Sequence, residues 1–238
     1  MSIYQDILEK RRKNKLIIAA LLDPDSEDIK LLEKKVSILK KSSIDYIFVG
    51  GSTTWKNDFT EFASEVKKYS SLPIIIFPGS ANQISKDADA LLFLSLVSGQ
   101  NPQFLIGEHI KAAPALKGMK IEVIPTGYLL IDGGNTTTVE FISGTRPIPQ
   151  DKVEIARSIA YASELLGMKL IYLDCGSGAK IPVSNALIKS VKDYINVPLI
   201  VGGGIRDIGE IKEKHLAGAD IIVIGSALED DPEFLLRD

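Results

Sequence analysis

Along the chain, short unbroken runs of Val, Ile and Leu alternate with longer segments whose apolar positions recur every three or four residues. The runs occupy residues 16–23, 45–51, 73–79, 90–96, 121–130, 169–176, 197–204 and 220–226, with Gly, Pro, Asp or Ser at or near their ends. A strand with one wet face alternates apolar and polar residues. A run that is apolar at every position is buried on both faces, as in a parallel sheet covered by helices. Eight such runs predict a closed (β/α)₈ TIM barrel forming one domain over residues 1–238.

The segments between the runs carry helix signals. Asp151 with Glu154 has capping-box spacing, after which Ile155, Ile159, Ala162 and Leu166 share one face closed by Gly167. Asp207 with Glu210 repeats that spacing, and Asn101-Pro102 places a cap before a first-turn proline. Residues 3–12 predict an extra helix closing the bottom of the barrel, and the lysines of 34–41 the solvated face of the first outer helix. One unit breaks the rhythm: only PGSANQISKDAD separates the third and fourth runs, too little for a crossover helix with its loops. The third outer helix is therefore shortened or missing. Either neighbouring helices close over a short turn, or the gap leaves an apolar channel for a long ligand.

Composition narrows the partners. Of 238 residues 45% are hydrophobic, and 28 Lys plus Arg against 31 Asp plus Glu leave a formal charge of −3. That balance carries no basic footprint for nucleic acid, so any anion site must be local. Cys175 is the one cysteine, which excludes an intrachain disulfide framework. No apolar run approaches the roughly 20 residues of a membrane span, and the N-terminal residues do not read as a signal peptide. The expected location is cytoplasmic, without an integral membrane segment.

Barrel chemistry sits at the C-terminal ends of the strands. Run seven ends in Gly202-Gly203-Gly204-Ile205-Arg206 and run eight in Gly225-Ser226. Their amides suit a phosphate cup, unless the glycines serve tight turns alone. Run six ends in Tyr172-Leu173-Asp174-Cys175-Gly176-Ser177-Gly178. Tyr172 and Asp174 share parity and face the interior, whereas Cys175 faces away. Asp174 reads as an acceptor for a substrate hydroxyl, as a general base, or as a cap of the following turn. Asp23-Pro24-Asp25 and Gly50-Gly51-Ser52 end the first two runs: a sparse oxygen set acceptable to Mg²⁺ with substrate phosphates, or a simple Asp-Pro turn. The long segment 131–149 reads as a lid, and Tyr128 as lining or gating the mouth or as an ordinary half-buried tyrosine. Trp55 lies near the mouth or in packing; His109 and His215 fall on outer helices away from the strand ends.

Taken in order, LLDPD, FVGGS, FPGS, TGYLLIDGG, TRPIP, YLDCGSGA, VGGGIR and IGSALE span nearly the whole chain. Together they resemble the geranylgeranylglyceryl phosphate synthase family, in its longer group. The resemblance implies Mg²⁺ held by Asp23 and Ser52. It implies sn-glycerol 1-phosphate bound by the segment Tyr172, Leu173, Asp174, Cys175, Gly176, Ser177, Gly178, with its phosphate on Gly203, Gly204, Gly225 and Ser226. It also implies a long prenyl diphosphate in a groove on the side of the missing helix, and Asp174 at the catalytic position. The family usually carries Glu where Asp174 stands. The related heptaprenylglyceryl phosphate synthases carry Lys two residues before the metal Asp, where this chain has Leu21. A phosphate-binding barrel isomerase is the alternative enzyme, and a non-catalytic phosphate- or lipid-binding barrel the alternative outside enzymes. A homo-oligomer, dimer or hexamer, is expected, with transient membrane contact for product release.

Overall fold

Each apolar run folds as a strand in the computed structural model, which describes residues 1–236; the last two residues of the expected 1–238 domain lie outside the described residues. The strands are β1 (Ile17–Leu22), β2 (Tyr46–Val49), β3 (Ile74–Ile76), β4 (Ala90–Leu96), β5 (Glu122–Leu130), β6 (Leu170–Asp174), β7 (Leu199–Gly202) and β8 (Ile221–Ile224). All pair in parallel, and β8 closes on β1 with Ile17 opposite Ile221. Alternation along each strand separates two cores. Ile17, Ala19, Leu170 and Tyr172 fill the barrel interior, while Ile18, Ala20, Ile171 and Leu173 face the helices. The expected barrel is therefore present, with the parity of β6 as predicted.

The helices are α1 (Ile3–Arg12), α2 (Leu32–Leu39), α3 (Phe59–Tyr69), α4 (Glu108–Lys117), α5 (Thr138–Ser143), α6 (Val153–Leu165), α7 (Asn185–Lys192), α8 (Ile208–Leu216) and α9 (Ser226–Asp230). Helix α1 plugs the bottom of the barrel. Its Ile7 is buried in the interior core, Glu122 accepts from Ile3 N at 2.6 Å, and Lys10 reaches Asp6 at 2.7 Å. Asp207 caps α8 by accepting from Glu210 N at 2.8 Å, as its spacing predicts. No helix joins β3 to β4, so the third outer helix is missing. The short connection is held instead by buried Gln83, which donates to Gly51 O at 2.9 Å and accepts from Gly79 N at 3.0 Å.

Two local expectations are corrected. Asp151 does not cap α6; Lys152 takes that position without a side-chain cap, and Asp151 pairs with its ammonium at 3.0 Å. Nor do Ile155, Ala162 and Leu166 face the barrel. The buried face is Ala156, Ala160 and Ser163, because β5 presents Gly127, whose missing Cβ leaves only 3.0 Å to Ser163 Cβ. At that approach large side chains do not fit, and Ile155 and Leu166 turn to solvent. Overfilling the seam with Ala160→Leu is expected to cost about 1–3 kcal/mol, while Leu166→Ser stays within about 0.5 kcal/mol; denaturant midpoints of the two variants check this. Lys35 also departs from the solvated face assigned to 34–41: it is buried in an ion pair with Glu27.

Candidate active site

At the C-terminal end of the barrel one cavity gathers most of the predicted residues. Asp23 and Ser52 line it from β1 and β2, Tyr172, Asp174, Gly176, Ser177 and Gly178 from β6, and Gly203, Gly204, Gly225 and Ser226 from β7 and β8. Leu173 and Cys175 do not line it. Their side chains lie in the core between barrel and helices, so only their backbone can serve a binding segment. Cys175 is buried, which pushes its thiol well above the usual range and leaves it as packing.

Asp174 is buried and doubly held: Oδ1 accepts from Gly176 N at 2.9 Å and Oδ2 from Tyr128 Oη at 2.7 Å. It therefore caps its turn and faces the cavity at once. Each carboxylate oxygen has two acceptor sites, so capacity remains for a substrate hydroxyl. Burial raises its pKa above the usual carboxylate range, against the lowering effect of the Tyr128 and Gly176 hydrogen bonds. Gly203 backs directly onto it. A Cβ there would sit 2.8 Å from Asp174 Oδ1, and the φ of +82° is left-handed, so both space and backbone require glycine.

Around Asp174 lie three aromatic rings. Phe77, at the end of β3, sits 5.2 Å from Tyr172 and 6.0 Å from Tyr128 between centroids, and the two tyrosines meet edge to face at 5.5 Å. Tyr128 is fully inside the site rather than half-buried at its mouth. From this floor the cavity runs past Ile84, Leu91, Phe93, Phe104 and Ala112, the apolar surface bared by the missing helix. Helix α4 flanks the gap: Glu108 accepts from Ala81 N in the β3–β4 connection at 2.6 Å. This corrects the placement of His109. It is on an outer helix but buried in the groove wall, 3.2 Å from Ser95 Oγ and edge-on to Phe93, and burial lowers its pKa. With no third helix beside it, α4 turns that face to the groove. Helix α5, in the segment read as a lid, contributes Val139 and Ile142 to the lining and is tied down where Asn101 Nδ2 donates to Ser143 O at 2.8 Å.

The Asp23 end is acidic. Burial raises the Asp23 pKa to about 6; the Asp25 N–H opposes this, and the charges of Asp25, Glu229 and Glu27 add to it. A carboxylate so disfavoured in its ionised form suits a hard cation, and Asp23 with Ser52 supplies two of the oxygens Mg²⁺ accepts beside substrate phosphate and water. Among the described residues no group of three or more His, Cys, Asp or Glu converges on a metal position. Two oxygens of this kind would hold an ion only together with oxygens from a bound phosphate and water. Sequence reasoning passed over Phe77, Glu108, His109, Arg206 and Glu229, which also line the cavity. Phe77, Arg206 and Glu229 stand inside strand-end blocks, a signal that could have found them. Trp55 is 80% exposed. Among the described residues no helix is long and apolar enough to cross a membrane.

Known proteins agree with this architecture. The PcrB family model matches residues 6–238. The geranylgeranylglyceryl phosphate synthase of Chitinophaga pinensis is 45% identical over 98% of this chain and 92% of its own length. That of Korarchaeum cryptofilum is 39% identical over 94% and 92%. The (S)-3-O-geranylgeranylglyceryl phosphate synthase of Thermoplasma acidophilum, solved with its substrate sn-glycerol-1-phosphate, superposes with a TM-score of 0.93 at 35% identity, covering 99% of this chain and 95% of that one. The chain belongs to the PcrB family and, like these relatives, is a prenyltransferase.

Proposed function

We propose that the enzyme joins sn-glycerol 1-phosphate to geranylgeranyl diphosphate, with Mg²⁺ as cofactor, releasing diphosphate and forming geranylgeranylglyceryl phosphate. The observation that carries this reading is one cavity with two chemistries. Its polar end holds Asp174 and the glycines of β7 and β8; its other end is an apolar groove opened by the missing helix. A sugar-phosphate isomerase has no use for such a groove, whereas each buried methylene of a prenyl chain contributes about 0.8 kcal/mol. The names of the relatives and the glycerol phosphate bound in the Thermoplasma acidophilum enzyme support the same assignment.

The residues divide the work. Backbone amides at Gly203, Gly204, Gly225 and Ser226 hold the phosphate. The C3 hydroxyl of the glycerol then faces Asp174, which takes its proton as the oxygen bonds to the allylic C1 and the C1–diphosphate bond breaks. Positive character on C1 is stabilised by the ring faces of Phe77, Tyr128 and Tyr172, and the groove keeps water from it. Asp23 and Ser52 would hold Mg²⁺, which would supply positive charge toward the leaving diphosphate.

Purified protein is tested with Mg²⁺ and both substrates for diphosphate release and a lipid-phase product; absence of both refutes the reading. Using farnesyl, geranylgeranyl and heptaprenyl diphosphates in parallel reads the preferred length. Buried Ala112 gives a second check. Ala112→Trp fills groove volume and is expected to raise KM for geranylgeranyl diphosphate about tenfold or more while moving that for the farnesyl compound less than about threefold. Equal effects on both chains would place the prenyl group elsewhere.

A further inference from the structure

Among the residues joining the loops that carry Asp23 and Ser52 is one that neither the phosphate cup nor the groove uses. Asp25 donates its backbone N–H to Asp23 Oδ1 at 2.9 Å. Its own carboxylate reaches across to the loop after β2, where Oδ1 and Oδ2 both accept from Trp55 N at 2.9 Å and Oδ1 accepts from Lys56 N at 2.8 Å. Thr53 Oγ1 adds a longer contact to Oδ2 at 3.4 Å. On the other side of Ser52, Gln83 Nε2 donates to Gly51 O at 2.9 Å. Ser52 is thus suspended between two anchors, and the one on the Asp23 side is Asp25. Asn57 Nδ2 reinforces the link by donating to Pro24 O.

We infer that Asp25 is a positioning residue for the divalent-cation site: its backbone N–H holds the Asp23 carboxylate while its side chain holds the loop that follows Ser52, fixing the separation of the two. The inference rests on the Mg²⁺ part of the function proposed above. A carboxylate suits this role because two backbone amides and a hydroxyl converge on it, and an amide side chain offers one accepting oxygen in place of two. Groups that orient metal ligands govern affinity without touching the ion, typically by about 10–100-fold. Asp25 lies on loops at the mouth of the barrel, so its loss leaves both cores intact.

The loop carries its own reporter, because Trp55 is the chain's one tryptophan and its N–H is held by Asp25. The experiment compares wild type, Asp25→Asn and Asp25→Ala. Mn²⁺ is titrated into each protein in the presence of inorganic diphosphate, against a protein-free titration, and followed by electron paramagnetic resonance, and Trp55 emission is recorded. Both substitutions are expected to weaken Mn²⁺ binding about tenfold or more and to change the emission. They should raise the Mg²⁺ needed for half-maximal turnover by the same factor, while KM for sn-glycerol 1-phosphate stays within about twofold. Wild-type Mn²⁺ affinity in Asp25→Asn overturns the inference. So does a loss of affinity matched by a fall in Tm and a rise in KM for glycerol phosphate, which would mark a general structural role. A wild-type protein that binds no Mn²⁺ also overturns it, and this is distinct from failed prenyl transfer, which diphosphate release from the wild type reads separately.

Discussion

Asp174→Asn is expected to lower kcat/KM by about 10²–10⁴-fold while leaving the barrel folded. The substitution keeps shape and volume. Its amide oxygen can accept from Gly176 N as Asp174 Oδ1 does, and its NH₂ can donate to the Tyr128 hydroxyl, which then accepts instead of donating. What it cannot do is take a proton. The pH dependence separates the roles left open for this residue. Burial raises the Asp174 pKa, so the ionised base is lost as pH falls through a value above the usual carboxylate range. The wild-type acid limb of kcat/KM should carry a contribution from Asp174 that is absent in Asp174→Asn, which keeps only the limb set by Asp23. Stability has the opposite sign. An acid with a raised folded pKa contributes stability that is complete below its unfolded pKa and lost as pH rises through the folded one. The Asn variant escapes that loss, so its Tm at neutral pH should match or exceed the wild type. If activity fell less than about tenfold, Asp174 would only orient the hydroxyl. Initial rates of diphosphate release as a function of pH, with thermal unfolding beside them, give the answer.

Gly51→Ala should cost about 10²-fold or more in kcat/KM, by a different route. Gly51 has no positive φ, so alanine meets no backbone penalty. Its Cβ, however, would sit 2.3 Å from Asp23 Oδ2 and 2.7 Å from Cγ. No real contact is that short, so the Asp23 carboxylate must leave its place. The Asp25 N–H that now fixes Oδ1 would be left without its acceptor. Displacement of a group by about 1 Å is enough for a loss of this size. The fold should suffer less, because Asp23 is not part of either apolar core. Kinetics at saturating Mg²⁺ together with Tm test this. A variant that keeps wild-type kinetics would remove Asp23 from the reaction.

The residues differ in how readily the sequence disclosed them. Strands were legible because burial on both faces leaves an unbroken Val/Ile/Leu run, and the gap at 78–89 was legible by length alone. Asp23, Ser52, Asp174 and the glycines stood at strand ends, where the fold puts chemistry, and the family resemblance gave them roles. Helix α6 misled because its largest apolar residues are not its buried ones. The seam is set by Gly127 on a strand about 35 residues earlier in the chain. His109 and Lys35 misled for a related reason: the neighbours that bury them, Phe93 with Ser95 and Glu27, are supplied by other elements or preceding loops.

By itself, then, the sequence determined the closed barrel, its missing helix, and the parity of Tyr172 and Asp174. These follow from local periodicity and loop length, which a linear chain displays directly. Only the tertiary structure decided that Asp174 both caps its turn and binds Tyr128, and that Phe77, Tyr128 and Tyr172 form one aromatic floor. The same holds for α4 walling the groove with His109 and for Asp25 tying together the loops that carry Asp23 and Ser52. Such facts depend on distances between residues far apart in the chain, and packing, not pattern, sets those distances.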